Sequence, residues 1–252
     1  MIAGLYSAAN GLVALHESQA ATANNIANAA TNGFKRTQPV QQGFYEVFSN
    51  TMRQPGAFDM ERAPGGGVKV AETYASMRAG PLHTTGNPLD VGLEGPGFIA
   101  VDTAGGERFT RDGAFSIDGD GELATAAGHK VQNVGGGHLD VRGGIVIIGA
   151  DGTVHVDGVP AGQIRMLEFE NPQGLRQEGD NLYRAPEPVL DASARAANTR
   201  TLQSQLEGSN VNLSQEMTNL MLGMRAYEAN QRSVRAADET ISQLIEKVGV
   251  PR

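Results

Sequence analysis

The chain has 252 residues, 40% of them hydrophobic, which is enough for one large domain or two small ones around a modest core. A formal net charge of -8 and the lack of any Lys/Arg cluster of five or more argue against nucleic acid as a partner. With no cysteine there is no disulfide, thiolate metal site or thiol nucleophile, and no stretch approaches the roughly 20 apolar residues that span a bilayer.

The first residues, Met-Ile-Ala-Gly-Leu-Tyr, lack a basic start, a continuous apolar run and a small-residue cleavage site, so the sequence predicts that any export proceeds without a cleaved signal. Ile2, Leu5, Ala9, Leu12, Ala23 and Ile26 recur in alternating steps of three and four, with His16 and Gln19 on the same line. That spacing predicts a helix with one narrow apolar seam. The pattern stops at Asn-Ala-Ala-Thr-Asn-Gly-Phe-Lys (28–35), where Asn32-Gly33 accepts left-handed backbone angles. Asn24, Asn25 and Asn28 crowd this helix end. They read either as caps and solvated groups or as a hydrogen-bonding row that fixes register between packed subunits.

Residues 37–88 carry Pro39, Pro55, Pro64, Pro81 and Pro88 and the run Gly65 to Gly67, which predicts an extended linker and lateral-contact region. Short apolar alternations follow, such as Leu89/Val91/Leu93, Phe98 to Val101, Ile145 to Ile148 and Ile164 to Phe169, separated by Gly and Asp-Gly turns. These predict a small all-β domain over 89–190. Beyond Asp191 alanine and polar residues return. Met217, Leu220, Met224, Tyr227, Val234, Ile241, Ile245 and Val248 form a second heptad seam, interrupted by Gln231 and Asp238. A narrow seam cannot bury itself, and an isolated helix of this length is marginal in water. The expected fold is therefore α+β. Residues 1–36 and 200–252 form a discontinuous, coiled-coil-like helical assembly domain, 37–88 a linker, and 89–190 a central β-rich outer domain.

Chemical motifs fail on inspection. Asp118, Asp120 and Glu122 have calcium-loop spacing, but Leu123 and His129 stand where that loop needs glycine and glutamate, and a hairpin turn is the better reading. Gly95-Pro-Gly-Phe-Ile-Ala100 imitates a dinucleotide fingerprint without its βαβ context. The histidines show no paired ligand spacing, and no serine sits in a G-x-S-x-G elbow. The sequence thus predicts no catalytic residue, metal or cofactor, and a protein that is not an enzyme.

Ala-Asn-Asn-Ile-Ala-Asn-Ala-Ala-Thr-Asn-Gly-Phe-Lys (23–35) resembles the N-terminal signature of the bacterial flagellar rod and hook axial proteins. Further segments resemble the same family in order: Gly80 to Asp90, Gly95 to Val101, Phe109-Thr-Arg-Asp-Gly-Ala-Phe115 with Gly121-Glu-Leu123, and Glu207-Gly-Ser-Asn-Val-Asn-Leu213 leading to Arg225-Ala-Tyr-Glu-Ala-Asn230. The chain length and short centre resemble rod subunits rather than the hook protein; the 225–230 segment resembles the distal rod, which is favoured, whereas Pro88-Leu-Asp-Val91 and the compact central domain resemble the proximal rod.

The resemblance implies a helical homopolymer in the basal body, crossing the periplasm as a drive shaft around the export channel. Its implied partners are further copies of itself, adjacent rod and hook proteins, the flagellar type III export apparatus and a surrounding ring bushing, with no nucleic acid and no membrane insertion. Candidate assembly-interface residues are Leu5, Leu12, Asn24, Asn25, Ile26 and Asn28 at one end and Met217, Leu220, Met224, Tyr227, Val234 and Ile241 at the other. The competing class is a surface adhesin or carbohydrate-binding β module on a coiled-coil stem.

Overall fold

The computed structural model of the chain describes residues 2–43 and 68–248. It is an α+β structure, with a helix at Ile2–Ala27, a helix at Leu213–Val248 and a strand-rich region between them. Contacts divide it into two units: residues 1–27, 37–74 and 212–252 form one, and 28–36 with 75–211 form the other. Segments 28–36 and 200–211 thus group with the strands instead of with the helices, because their main chains and buried side chains bond to strand-unit residues.

In the helical unit the two long helices run antiparallel. Gly11 lies against Asn230, Gln19 against Gly223 and Asn25 against Glu216, the numbers falling on one helix as they rise on the other. On the N-terminal helix Ala8, Gly11, Ala14, Leu15, Ser18, Gln19, Thr22 and Asn25 are among the described residues turned inward, while Ala9, His16 and Ala23 are exposed. The packed line is therefore displaced by one residue from the apolar seam read in the sequence. Small residues decide this, since a Cβ on Gly11 would stand 3.0 Å from Asn230 Nδ2 and one on Gly223 3.3 Å from Gln19 Cγ. Close helix approach favours glycine and serine over the bulkier neighbours Leu12 and Ile26, which sit half-buried at the margin.

The C-terminal helix starts where the Asn212 carboxamide accepts the Gln215 N–H at 3.1 Å, an N-cap. Strands Thr37–Gly43 and Val68–Ala75 pair in a two-stranded sheet, so the ends of the expected linker are regular. Residues 44–67, with Pro55, Pro64 and Gly65 to Gly67, lie outside the described residues.

The strand unit is organised by Phe98–Thr103, which pairs antiparallel with Gly106–Thr110, Lys130–Val131 and Met166–Phe169. Its alternate side chains enter two different cores, as the period of two along a strand requires. Ile99 and Val101 join Val91, Leu93, Leu123, Leu139, Ile148 and Ile164 on one face. Phe98 and Ala100 join Phe109, Leu167, Phe169 and Tyr183 on the other, where Phe98 meets Phe169 and Tyr183 edge to face at centroid distances of 5.7 and 5.6 Å. Val146–Ile148, Thr153–Val156 and Val159–Gln163 form a separate meander. Asp157 and Gly158 turn its second hairpin with φ of 51° and 82°. The returning chain is tied back by two short ladders, Arg200–Gln203 on Val91–Glu94 and Gln205–Glu207 on Leu82–Thr84.

Candidate functional site

Those short ladders deliver a carboxylate into the interior. Glu207 Oε1 accepts Lys35 Nζ at 2.6 Å and the Gly80 N–H at 2.8 Å, and its Oε2 accepts Arg111 Nε at 2.8 Å. All three charged side chains are within 2% of complete burial. Two cations and one anion leave a surplus positive charge, and backbone carbonyl dipoles compensate it. Arg111 donates to Gly97 O at 2.8 Å and Gly95 O at 2.9 Å, Lys35 to Arg78 O at 2.9 Å, and the guanidinium lies 5.5 Å from the centre of the Phe98 ring.

Burial by itself would raise the Glu207 pKa, but Arg111, Lys35 and the hydrogen bonds outweigh it and hold the carboxyl below its ordinary value. Burial lowers Lys35, assisted by Arg111 and opposed by Glu207. Burial also raises the pKa of the Tyr183 phenol, which stays neutral in the adjoining aromatic core, its hydroxyl without a hydrogen-bond partner among the described residues. The three side chains are buried and bonded to one another and to backbone groups, an arrangement that ties segments of the fold together. Glu207 and Gly80 main-chain or side-chain atoms, Lys35, Arg111 and the Gly95 to Phe98 turn all meet there, and each belongs to a different sequence signature.

The candidate interface residues separate into distinct environments. Leu220, Tyr227 and Val234 are half-buried on the side of the C-terminal helix that carries Glu216, Gly223 and Asn230. Met217 and Met224 point away from that side and are 46% and 52% exposed. With Leu213 and Met221 they make an exposed apolar stripe at steps of four, four and three. The side chains of Leu5 and Ile241 lie outside the described residues.

Asn25 is buried, and its partners are intramolecular. Its Oδ1 accepts Thr37 N–H at 2.8 Å and Thr37 Oγ1 at 2.9 Å, while Nδ2 donates to Thr37 O at 2.8 Å and reaches Glu216 Oε2 at 3.4 Å. Asn28 is half-buried and accepts Thr31 Oγ1 at 3.2 Å. Asn24 is exposed and engaged within the chain.

Three family models match in register with these features. Residues 5–35 match the flagella basal body rod protein family, 92–156 the D1 domain of the flagellar hook protein FlgE/F/G, and 202–246 the C-terminal part of the flagellar basal body rod FlgEFG proteins. Over the full length the chain is 32% identical to the flagellar basal-body rod protein FlgF of Rhizobium meliloti, covering 100% of both. It is 32% identical to FlgG of Buchnera aphidicola subsp. Baizongia pistaciae and 31% to FlgG of Bacillus subtilis, each over 97% of this chain and 98% or more of the relative.

The chain belongs to the flagellar basal-body rod protein family.

Within this rod-family chain, Lys35, Arg111 and Glu207 come one from each of the three matched segments. Sequence reading passed over them because an isolated Lys, Arg or Glu ordinarily marks a solvated surface. Their common signal was position, each lying inside a glycine-containing signature. The adhesin reading has no support from any of the matched proteins.

The calcium-like spacing resolves into a hairpin, Phe115–Ile117 paired with Leu123–Thr125. Asp118 Oδ1 accepts the N–H groups of Asp120 and Glu122 at 2.9 and 2.8 Å, and backbone bonds of this kind hold its pKa low. Lys130 Nζ stands 3.5, 2.8 and 2.7 Å from Asp118, Asp120 and Glu122, placing a tethered ammonium among the carboxylates. Hydrogen bonds to Asp120 and Glu122 raise its pKa.

Glu207→Gln leaves two buried cations without an anion and is expected to destabilise the strand unit by about 3–5 kcal/mol, whereas Lys35→Met leaves a one-to-one Arg111–Glu207 pair and costs less. Because the Glu207 pKa is depressed on folding, its contribution is present above the ordinary carboxylate pKa of about 4.3 and is lost as pH falls through the folded value. Urea unfolding from pH 7 downward measures both effects, with Glu207→Gln flattening the acid limb. Asn25→Leu strands the Thr37 donors and is expected to cost about 1–3 kcal/mol in the helical unit, read as lost helicity in circular dichroism.

Proposed function

We propose that this chain is a structural subunit of the flagellar rod, polymerising helically with copies of itself and with adjacent rod and hook proteins into the drive shaft that carries torque to the hook and encloses the export channel. One observation carries the reading. The antiparallel helix pair places polar or minimal groups on its own seam, at Gly11–Asn230, Gln19–Gly223 and Asn25–Glu216, while Leu213, Met217, Met221 and Met224 face outward. Gln19 Nε2 is also buried there without a hydrogen-bond partner among the described residues. Such a pair gains little from its own contact and leaves apolar surface that a monomer does not use.

Met217, Met221 and Met224 are the residues we assign to packing between subunits, with Leu220, Tyr227 and Val234 holding the pair itself. Leu5, Leu12, Ile26 and Ile241 complete the assembly surface in this reading. Methionine suits the role because its unbranched side chain adapts to neighbours that are not identically placed. Heterologous contacts that do not close on themselves extend into an open helical filament. Ordering of the helices is coupled to that addition, the new interface offsetting the lost entropy. The subunit needs no catalytic group or cofactor, and it reaches the rod through the flagellar type III export apparatus. The Arg225 to Asn230 stretch supports the distal segment, inside the ring bushing.

Mass spectrometry and antibody labelling of purified hook–basal-body particles test the assignment: the protein is expected between the inner-membrane ring and the hook, and its absence from the rod overturns it. At residue level, Met221→Glu is expected to leave the subunit's urea midpoint unchanged and to abolish swimming, while Met221→Leu preserves it. Normal rods in the glutamate variant would exclude this stripe from the interface.

A further inference from the structure

We propose that Asn32-Gly33 is a latent deamidation site, silent in the folded strand unit and reactive whenever the chain is unfolded. An Asn-Gly pair is the most susceptible sequence for this reaction because glycine has no side chain to keep its nitrogen from the asparagine carboxamide. The Gly33 nitrogen attacks Asn32 Cγ, an N–Cγ bond forms and the Cγ–Nδ2 bond breaks. Ammonia leaves with the proton released by the Gly33 nitrogen. Water then opens the cyclic imide at either carbonyl and leaves an aspartyl or an isoaspartyl residue at position 32.

In the folded chain the peptide unit between these residues is held at both ends. Its carbonyl, Asn32 O, accepts Asn181 Nδ2 at 2.8 Å, and its N–H, on Gly33, donates to Glu207 O at 2.7 Å. The nucleophilic nitrogen is therefore engaged and the peptide plane cannot turn toward Cγ. Space is equally restrictive: Gly33 is buried at φ 67°, and even a Cβ there would stand 2.6 Å from Asp112 N and 2.7 Å from the Arg111 carbonyl carbon. Reaction requires the local opening of both hydrogen bonds, so its rate follows the population of the open state.

The protecting residue arrives from the far end of the chain, so protection begins only after the segment around Glu207 has docked. The isoaspartyl product lengthens the main chain by one carbon between the Asn181 anchor and Lys35, two residues beyond Gly33, whose ammonium must reach Glu207 at 2.6 Å. A chain modified while unfolded consequently fails to close the ion node. The unfolded chain has a limited chemical lifetime, and the folded one does not share it.

A second pair, Asn10-Gly11, lies within the N-terminal helix and supplies an internal reference. The test incubates the full chain at mildly alkaline pH, folded and in urea, and quantifies deamidation at positions 10 and 32 by peptide mapping. Position 32 is expected to react slower by about tenfold or more in the folded chain than in urea. Glu207→Gln, and Asn181→Asp, which keeps shape but loses the donor, are each expected to accelerate position 32 without changing position 10. Equal rates at position 32 in folded and unfolded chain overturn the proposal. So does an unchanged folded rate in Asn181→Asp shown to be folded by its near-ultraviolet spectrum, or full refolding of the isoaspartyl chain from urea.

Discussion

A single buried carboxylate holds the strand unit together across the chain. Glu207 receives Lys35 from the segment after the first helix, the Gly80 N–H from the start of the strand region, and Arg111 from a central strand's end. Its own carbonyl receives Gly33. A charge this deep is costly unless every lone pair is used, and here the return from desolvation is a fixed meeting point for segments remote in sequence. The two-sided burial of Phe98–Thr103 supports the same point, because Phe98 lies beside Arg111 while Ile99 and Val101 fill the opposite core.

The helical unit obeys a different rule. Its own seam is thin, made by glycine, glutamine and asparagine meeting asparagine, glycine and glutamate. Its apolar side chains are divided between a half-buried row and an exposed methionine stripe. Stability of the strand unit is thus internal and electrostatically pinned, whereas the helical unit presents surface that its own fold does not cover. That division of labour agrees with the subunit role proposed above.

Much of this was readable from residues alone. Heptad steps located both helices, and apolar alternation with Asp-Gly turns located the strands, since those periods follow directly from backbone geometry. The seam was displaced by one residue because apolar character marks where a side chain prefers to be, while close approach of two helices is governed by which side chains are absent, as at Gly11 and Gly223. Asn25 was legible as special but not as intramolecular; only the fold brings Thr37 and Glu216 to it. Lys35, Arg111 and Glu207 were illegible as partners because nothing local distinguishes a buried charge from a solvated one. Their separation of 172 residues, for Lys35 and Glu207, removes any spacing signal.

The acidic hairpin at Asp118, Asp120 and Glu122 shows what a covalently attached counter-ion changes. Lys130 belongs to the same polypeptide, so its effective concentration at the loop is fixed by the fold and independent of the surrounding medium. A loop closed by a diffusible divalent ion would loosen under chelation or dilution. This one carries its counter-ion within its own chain, out of reach of chelators, and only the screening of its exposed ion pairs by salt weakens it.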